Sequence, residues 1–287
     1  MKTISVAHSP DADDIFMYYA IKFGWVTPKD AKFENIADDI ETLNKATLKG
    51  EYDICAISFA LYPFVKDDYA LLKTAVSFGE GYGPKLIKRK GTKLKRNFKV
   101  ALSGEFTTNG LLFRIAYPNA RITYMNFLDI EKAVLDGTVD AGVLIHESIL
   151  TYDDELEVER ELWDIWVELA GVGLPLPLGG MCIRRSIPLH SAIDYENTLV
   201  KAVDVANKNR KVLAPMLLEK GLIRVDASIL DNYLDLYAND NSVQLSDIQY
   251  QALDKLYELG YESGFYENLV KSKDFLIPTQ YEELRAK

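Results

Sequence analysis

The chain has 287 residues, 48% hydrophobic and 26% charged, which is enough apolar material for a large core and more length than one ordinary domain needs, so two lobes are expected. A net charge of -10 and an isoelectric point near 5.0 argue against a protein built to grip nucleic acid, whose phosphate backbone is held by lysine and arginine. No apolar stretch approaches the roughly 20 residues that span a bilayer, and the apolar run near the amino terminus is too short for a signal peptide, so a cytoplasmic protein without membrane insertion is expected.

Residues 3–8 are β-branched and apolar and break at Ser9-Pro10-Asp11 before the apolar run 15–23, which reads as strand, turn and helix. Asp11, Asp13 and Asp14 fall where that helix begins, and carboxylates there are expected to cap free N–H groups and meet the positive end of the helix dipole. The same loop follows the first strand of an open α/β sheet, the edge where ligands bind. A strand over 33–37, a helix over 39–49 ended by Gly50, and a strand over 52–57 closed by Ser58 complete a βαβαβ unit. Residues 69–78 and 84–89 read as further strands. The glycine-rich stretch Gly79-Glu80-Gly81-Tyr82-Gly83 between them lacks dinucleotide-binding spacing and reads as a tight loop. The basic stretch from Lys85 to Lys99 reads as a solvated hairpin or a linker between lobes.

From Phe98 the pattern repeats: strand 98–102, a break at Ser103-Gly104, a helix from Thr107 or Thr108 to Ala116, strand 122–125, a helix over about 128–136, and a strand running into His146. Asp39-Ile40-Glu41 and Asp129-Ile130-Glu131 head corresponding helices, and L-x-G-x-x-D closes both, at Leu48 to Asp53 and at Leu135 to Asp140. Two similar α/β lobes facing each other across a cleft would bring Ser9, Ser58, Thr107, Thr108 and His146 around one pocket, with Asp14 beside them. The expected division is 1–92 with 186–287 for a discontinuous first lobe and 93–185 for the second.

After His146, residues 157–169 read as an amphipathic helix whose Trp163 and Trp166 share a core face. Gly173 to Gly180, with two prolines, reads as a rigid apolar loop, and 181–185 as a strand crossing back. Beyond Pro188 four helices are expected, over 193–209, 212–219, 226–237 and 246–261, packed on the first lobe. Cys55 and Cys182 lack CxxC spacing and read as buried packing residues, so neither a disulfide nor a metal site is expected.

His146 is one of three histidines and stands at the carboxyl end of an apolar strand, which suits proton transfer near neutral pH as well as it suits a structural hydrogen bond. Thr107 and Thr108, at a helix start, suit either an N-cap or a bound carboxylate. Glu147, next along the strand, is expected to point away from the site.

Several of these motifs together resemble one family. Ser9-Pro10 followed by Asp11-Ala12-Asp13-Asp14-Ile15-Phe16, then Gly81-Tyr82-Gly83-Pro84, Thr107-Thr108, Ala116-Tyr117-Pro118, Leu144-Ile145-His146-Glu147 and Gly173 to Gly179 are similar to motifs of the 1,4-dihydroxy-6-naphthoate synthases of the futalosine route to menaquinone. The resemblance implies a two-lobed fold like that of periplasmic solute-binding proteins. It also implies cofactor-free conversion of cyclic dehypoxanthinyl futalosine, a small-molecule carboxylate, to 1,4-dihydroxy-6-naphthoate, with His146 as general base and Ser58, Thr107 and Thr108 holding substrate. D-A-D-D here replaces the C-P-N-D of many relatives, leaving the roles of Asp11 and Asp13 open. The rival readings are a non-catalytic carboxylate-binding protein of the same fold, a chorismate dehydratase, and the effector-sensing half of a regulator. The last would need a helix-turn-helix that the sequence does not contain.

Overall fold

A computed structural model describes residues 2–223, 226–238 and 242–279, with the side chains of Asp13 and Tyr237 outside the description. The first βαβαβ unit is β1 (Lys2–His8), α1 (Ala12–Lys22), β2 (Ala31–Ala37), α2 (Ile40–Leu48) and β3 (Ile54–Ser58). After a 3-10 turn, the short α3 (Tyr62–Val65), β4 (Tyr69–Leu71), β5 (Ser77–Gly79) and β6 (Lys85–Arg89) follow. The second unit is β7 (Lys99–Leu102), α4 (Thr108–Ala116), β8 (Arg121–Tyr124), α5 (Phe127–Leu135) and β9 (Ala141–Leu144). Then come β10 (Leu156–Glu161), α6 (Leu162–Ala170), β11 (Leu176–Arg184) and the helices α7 (Leu189–Lys208), α8 (Arg210–Glu219), α9 (Ala227–Tyr237) and α10 (Asp247–Glu262).

Two sheets result. One runs β2-β1-β3-β11-β4, with β5 also paired to β11; the other runs β10-β6-β9-β7-β8. Each has a parallel trio centred on the first strand of its unit, β2-β1-β3 and β8-β7-β9, and an antiparallel strand beside the third, β11 and β6. The chain therefore crosses between sheets twice: before β6 and again before β11. α7, α8 and α9 pack on α1, while α10 touches β11 and α6. Among the described residues no helix is long and apolar enough to cross a membrane.

The L-x-G-x-x-D match is structural. α2 and α5 each have nine residues, and each is followed by a glycine in the left-handed region, Gly50 at φ 68° and Gly137 at φ 80°. The aspartate then ties its strand to the central one. Asp53 accepts from the backbone N–H of Ser5 at 3.0 Å, and Asp140 from that of Lys99 at 2.7 Å. The D-I-E match is out of register: Asp39 is the N-cap of α2, whereas Asn126 caps α5 and Asp129 lies inside it.

Three further segments differ from the sequence reading. The strand expected over 84–89 is present as β6, but the basic run that begins there is not a solvated hairpin or linker at this end: β6 is an inner strand whose lysines meet the acidic face of β10, Lys88 with Glu159 at 2.6 Å and Lys85 with Glu161 at 3.8 Å. Residues 156–161 form strand β10 rather than the start of a helix; L-E-V-E-R-E alternates with the period of a half-buried strand, and α6 begins only at Leu162. The Pro-Gly stretch 176–180 is the first half of β11, because the register shifts between Pro177 and Gly179 at the place where proline cannot donate to the ladder. Trp166 is fully buried and donates its Nε1–H to the Leu174 carbonyl.

Candidate functional site

The carboxyl ends of the parallel strands of both sheets open on one cleft, whose empty space of about 730 Å³ includes the open solvent at its mouth. Ser9, Asp11, Asp14, Ser58, Ser77 and Gly179 line it from the first sheet's side, Thr107, Thr108, Asn109, Ile145 and His146 from the second, and Tyr233 from α9. All six candidate residues from the sequence (Ser9, Asp14, Ser58, Thr107, Thr108 and His146) thus face one space. Among the described lining residues there is no lysine or arginine, so an anionic ligand would have to be held by N–H and O–H dipoles.

His146 does not sit at the strand position equivalent to Ser58. Aligned on L-x-G-x-x-D, Ser58 corresponds to Ile145, and His146 opens the 3-10 turn that follows β9. Its φ of 55° lies in the left-handed region, uncommon for a residue with a side chain. This left-handed turn breaks the strand alternation and brings the imidazole to the cleft, its Nδ1 2.7 Å from the carboxylate of Asp11. The ring also packs edge-on against Phe127, with centroids 5.0 Å apart. An ionised carboxylate only accepts, so Nδ1 carries the proton in the neutral ring and Nε2 the lone pair.

The acidic cluster at the start of α1 does not do what helix chemistry suggests. Asp11 occupies the N-cap position but makes no capping hydrogen bond with its side chain. Its buried carboxylate instead takes the Ser9 hydroxyl proton donor and the His146 ring. Asp14 accepts from the Ser9 backbone N–H at 2.8 Å. The cap comes from across the cleft: Glu147 is buried and its carboxylate accepts from the Ala12 N–H at 3.0 Å. Glu147 does not line the cleft, in keeping with its expected direction. Burial pushes the Asp14 carboxyl up to about 6, and the neighbouring Asp11 charge adds to the rise. His8, the Ser9 N–H and His146 pull it partly back. The side chain of Asp13 lies outside the described residues.

The threonine hydroxyls are committed to protein partners. Thr107 caps α4 by accepting from Gly110 N–H at 3.2 Å, with Gly104 O and Asn109 Oδ1 in reach of its own proton. Thr108 Oγ1 donates to Leu178 O at 2.9 Å and accepts from Ala60 N–H at 3.2 Å, joining the second unit to the first. Ser58 is fixed by Asn44, which gives Nδ2–H to its oxygen and takes its backbone N–H. Glu41 of α2 reaches the loop before α4 and accepts from the N–H groups of Glu105 at 3.0 Å and Phe106 at 3.3 Å; burial raises its pKa, and those two bonds counter the rise. Four side-chain links therefore hold the cleft walls together: Asp11 with His146, Ala12 with Glu147, Glu41 with 105–106, and Thr108 with Ala60 and Leu178.

Residues 4–262 match the family described as Menaquinone biosynthesis. A curated 1,4-dihydroxy-6-naphtoate synthase of Streptomyces coelicolor is 31% identical over 258 residues, which cover 88% of this chain and 90% of that protein. Among solved structures, a protein from Archaeoglobus fulgidus superimposes with a TM-score of 0.84 at 34% identity, covering 91% of this chain and 98% of that one. A Candida albicans gene product described as having the generic periplasmic binding protein fold gives a TM-score of 0.72 at 10% identity, covering 100% and 99% of the two chains, a likeness of fold alone.

Proposed function

The chain belongs to the menaquinone-biosynthesis family, alongside the 1,4-dihydroxy-6-naphthoate synthases, and from that membership we propose that it converts cyclic dehypoxanthinyl futalosine to 1,4-dihydroxy-6-naphthoate. The observation that carries this reading is His146, turned into the cleft by a left-handed backbone with a buried carboxylate on its Nδ1. In the reaction, Nε2 removes the proton next to the substrate carbonyl. The electron pair left behind expels the sugar-derived fragment, and the ring becomes aromatic. Aromatisation drives the step forward, so the protein's part is positioning and base catalysis, which makes it a lyase.

The substrate's ring carboxylate is assigned to the start of α4, where the first-turn backbone N–H groups of Thr108 and Asn109 supply donors on the positive end of the helix dipole. Because the threonine hydroxyls have protein partners, they act by holding this turn in place. Ser9, Asp14 and Ser58, on the opposite wall, are assigned to the polar sugar-derived part. The two lobes of this reading are the units built on the two sheets, and the cytoplasm is the expected location.

The test is incubation of the purified protein with cyclic dehypoxanthinyl futalosine, with 1,4-dihydroxy-6-naphthoate followed by chromatography and mass spectrometry. Turnover supports the proposal. Saturable binding without product would instead leave a carboxylate-binding protein of this fold.

A further inference from the structure

We propose that Asp11 is the positioning residue of this site: its carboxylate holds Nδ1–H of His146, fixing the ring orientation and the tautomer that leaves the lone pair on Nε2. This rests on the proposed role of His146 as base. Asp11 stands where a helix-capping side chain is expected, yet its carboxylate makes no cap, and Glu147 takes over the first N–H of α1 from the other side of the cleft. Asp11 is 1% exposed and is itself fixed by the Ser9 hydroxyl, so the chain Ser9–Asp11–His146 runs from a buried anchor to the cleft surface. A buried carboxylate with two oriented donors is a more economical use of the charge than a cap would be, and it is the arrangement by which a carboxylate raises the basicity of an imidazole and selects its tautomer.

Two carboxylates share this corner, and they divide the work. Asp14 lines the cleft, faces Asp11, His8 and His146, and accepts the Ser9 backbone N–H. Asp11 has the imidazole and a hydroxyl. Negative charge therefore rests on Asp11 when only one of the two is ionised. Among the described residues, Asp11 before α1 and Asp14 on α1 are charged groups that act on His146, Glu147 is its chain neighbour, and Phe127 of α5 packs edge-on against the ring.

The experiment compares wild type with Asp11→Asn and Ser9→Ala. In Asp11→Asn, kcat for naphthoate formation should fall by about 10²–10⁴-fold with KM changed by about threefold or less, and the acidic limb of the pH profile should move to lower pH by about one unit or more. Ser9→Ala should fall between the two. A residue that only supports the fold would lower activity without moving the limb. ¹⁵N NMR of the histidine rings provides a readout independent of turnover: wild type should show His146 with Nδ1 protonated and Nε2 free of its proton, and Asp11→Asn should lose that preference. Wild-type kcat and an unmoved acidic limb in Asp11→Asn, or a wild-type ring protonated on Nε2, would overturn the assignment. If wild type fails to make the naphthoate at all, the proposed function falls, while the NMR titration still decides whether Asp11 governs His146.

Discussion

Asp14 is the residue at which the site's electrostatics are most directly measurable as stability. Burial and the nearby Asp11 raise its pKa from the ordinary 3.8 to about 6. A carboxyl whose folded pKa lies above its unfolded one stabilises the fold at low pH and loses that contribution as pH rises through the folded value, because between the two pKa values the native state binds more protons than the unfolded chain. Holding that carboxyl ionised at pH 7.5 therefore costs the fold about 3 kcal/mol. Asp14→Asn removes the charge and keeps an oxygen that can accept the Ser9 N–H. The ligand-free variant should therefore be more stable than wild type at pH 7.5 by up to about 3 kcal/mol, roughly 6–12 °C in Tm at about 2–4 °C per kcal/mol. The advantage should shrink through pH 6 and vanish near pH 4. Differential scanning calorimetry of both proteins across pH 4 to 8 reads this directly. A Tm difference independent of pH, or a variant less stable than wild type at pH 7.5, would show that Asp14 does not carry a destabilising charge in this cleft.

Thr108→Val deletes the hydroxyl that joins Ala60 N–H and Leu178 O. It should cost about 1–3 kcal/mol in urea unfolding for the buried groups left unpaired; unchanged stability would remove that hydroxyl from the links between the cleft walls. Glu41→Ala takes away the acceptor of Glu105 and Phe106 N–H, so amide hydrogen exchange at those two residues should speed up by about tenfold or more, and protection equal to wild type would contradict the link. Gly104→Ala should act in the same direction, since an added Cβ would lie 2.2 Å from the Glu41 carboxylate oxygen and push it off its two donors. A Gly104→Ala protein with wild-type exchange at 105 and 106 would mean that Glu41 holds this loop from some other position.

How much of this was legible in the sequence follows from what each feature depends on. The paired βαβαβ units were, because L-x-G-x-x-D encodes local geometry: a glycine at positive φ ends each helix, and the aspartate three residues after it binds the central strand. The gathering of Ser9, Ser58, Thr107, Thr108 and His146 followed from topology, since all stand at carboxyl ends of strands or at the helix starts after them. Register was less legible. The left-handed turn at His146 shifts it by one position from Ser58, and nothing in L-I-H-E announces a positive φ. Strand β10 is hidden in the sequence because charged residues fill its exposed side in a way that suits either a helical or a strand period over a short window. Pro177 masks the first half of β11, because a proline argues against a strand and the fold accommodates it with a register shift.

The contacts that define the site were the least visible. Asp11 meets His146, and Ala12 meets Glu147, across most of two units of chain. A carboxylate before a helix has a strong local role as a cap, and only the folded arrangement reveals that the cap is supplied by Glu147 instead. The threonines carry the opposite lesson: the ordinary N-cap reading holds for Thr107, while Thr108 turns out to be a link between the units.

The most direct measurement is single-turnover conversion of cyclic dehypoxanthinyl futalosine by wild type and His146→Asn at pH 7.5. With His146 as the base, wild type forms 1,4-dihydroxy-6-naphthoate and the variant binds substrate but forms product at least about 10²-fold more slowly. Equal rates in the two proteins would remove His146 from the chemistry.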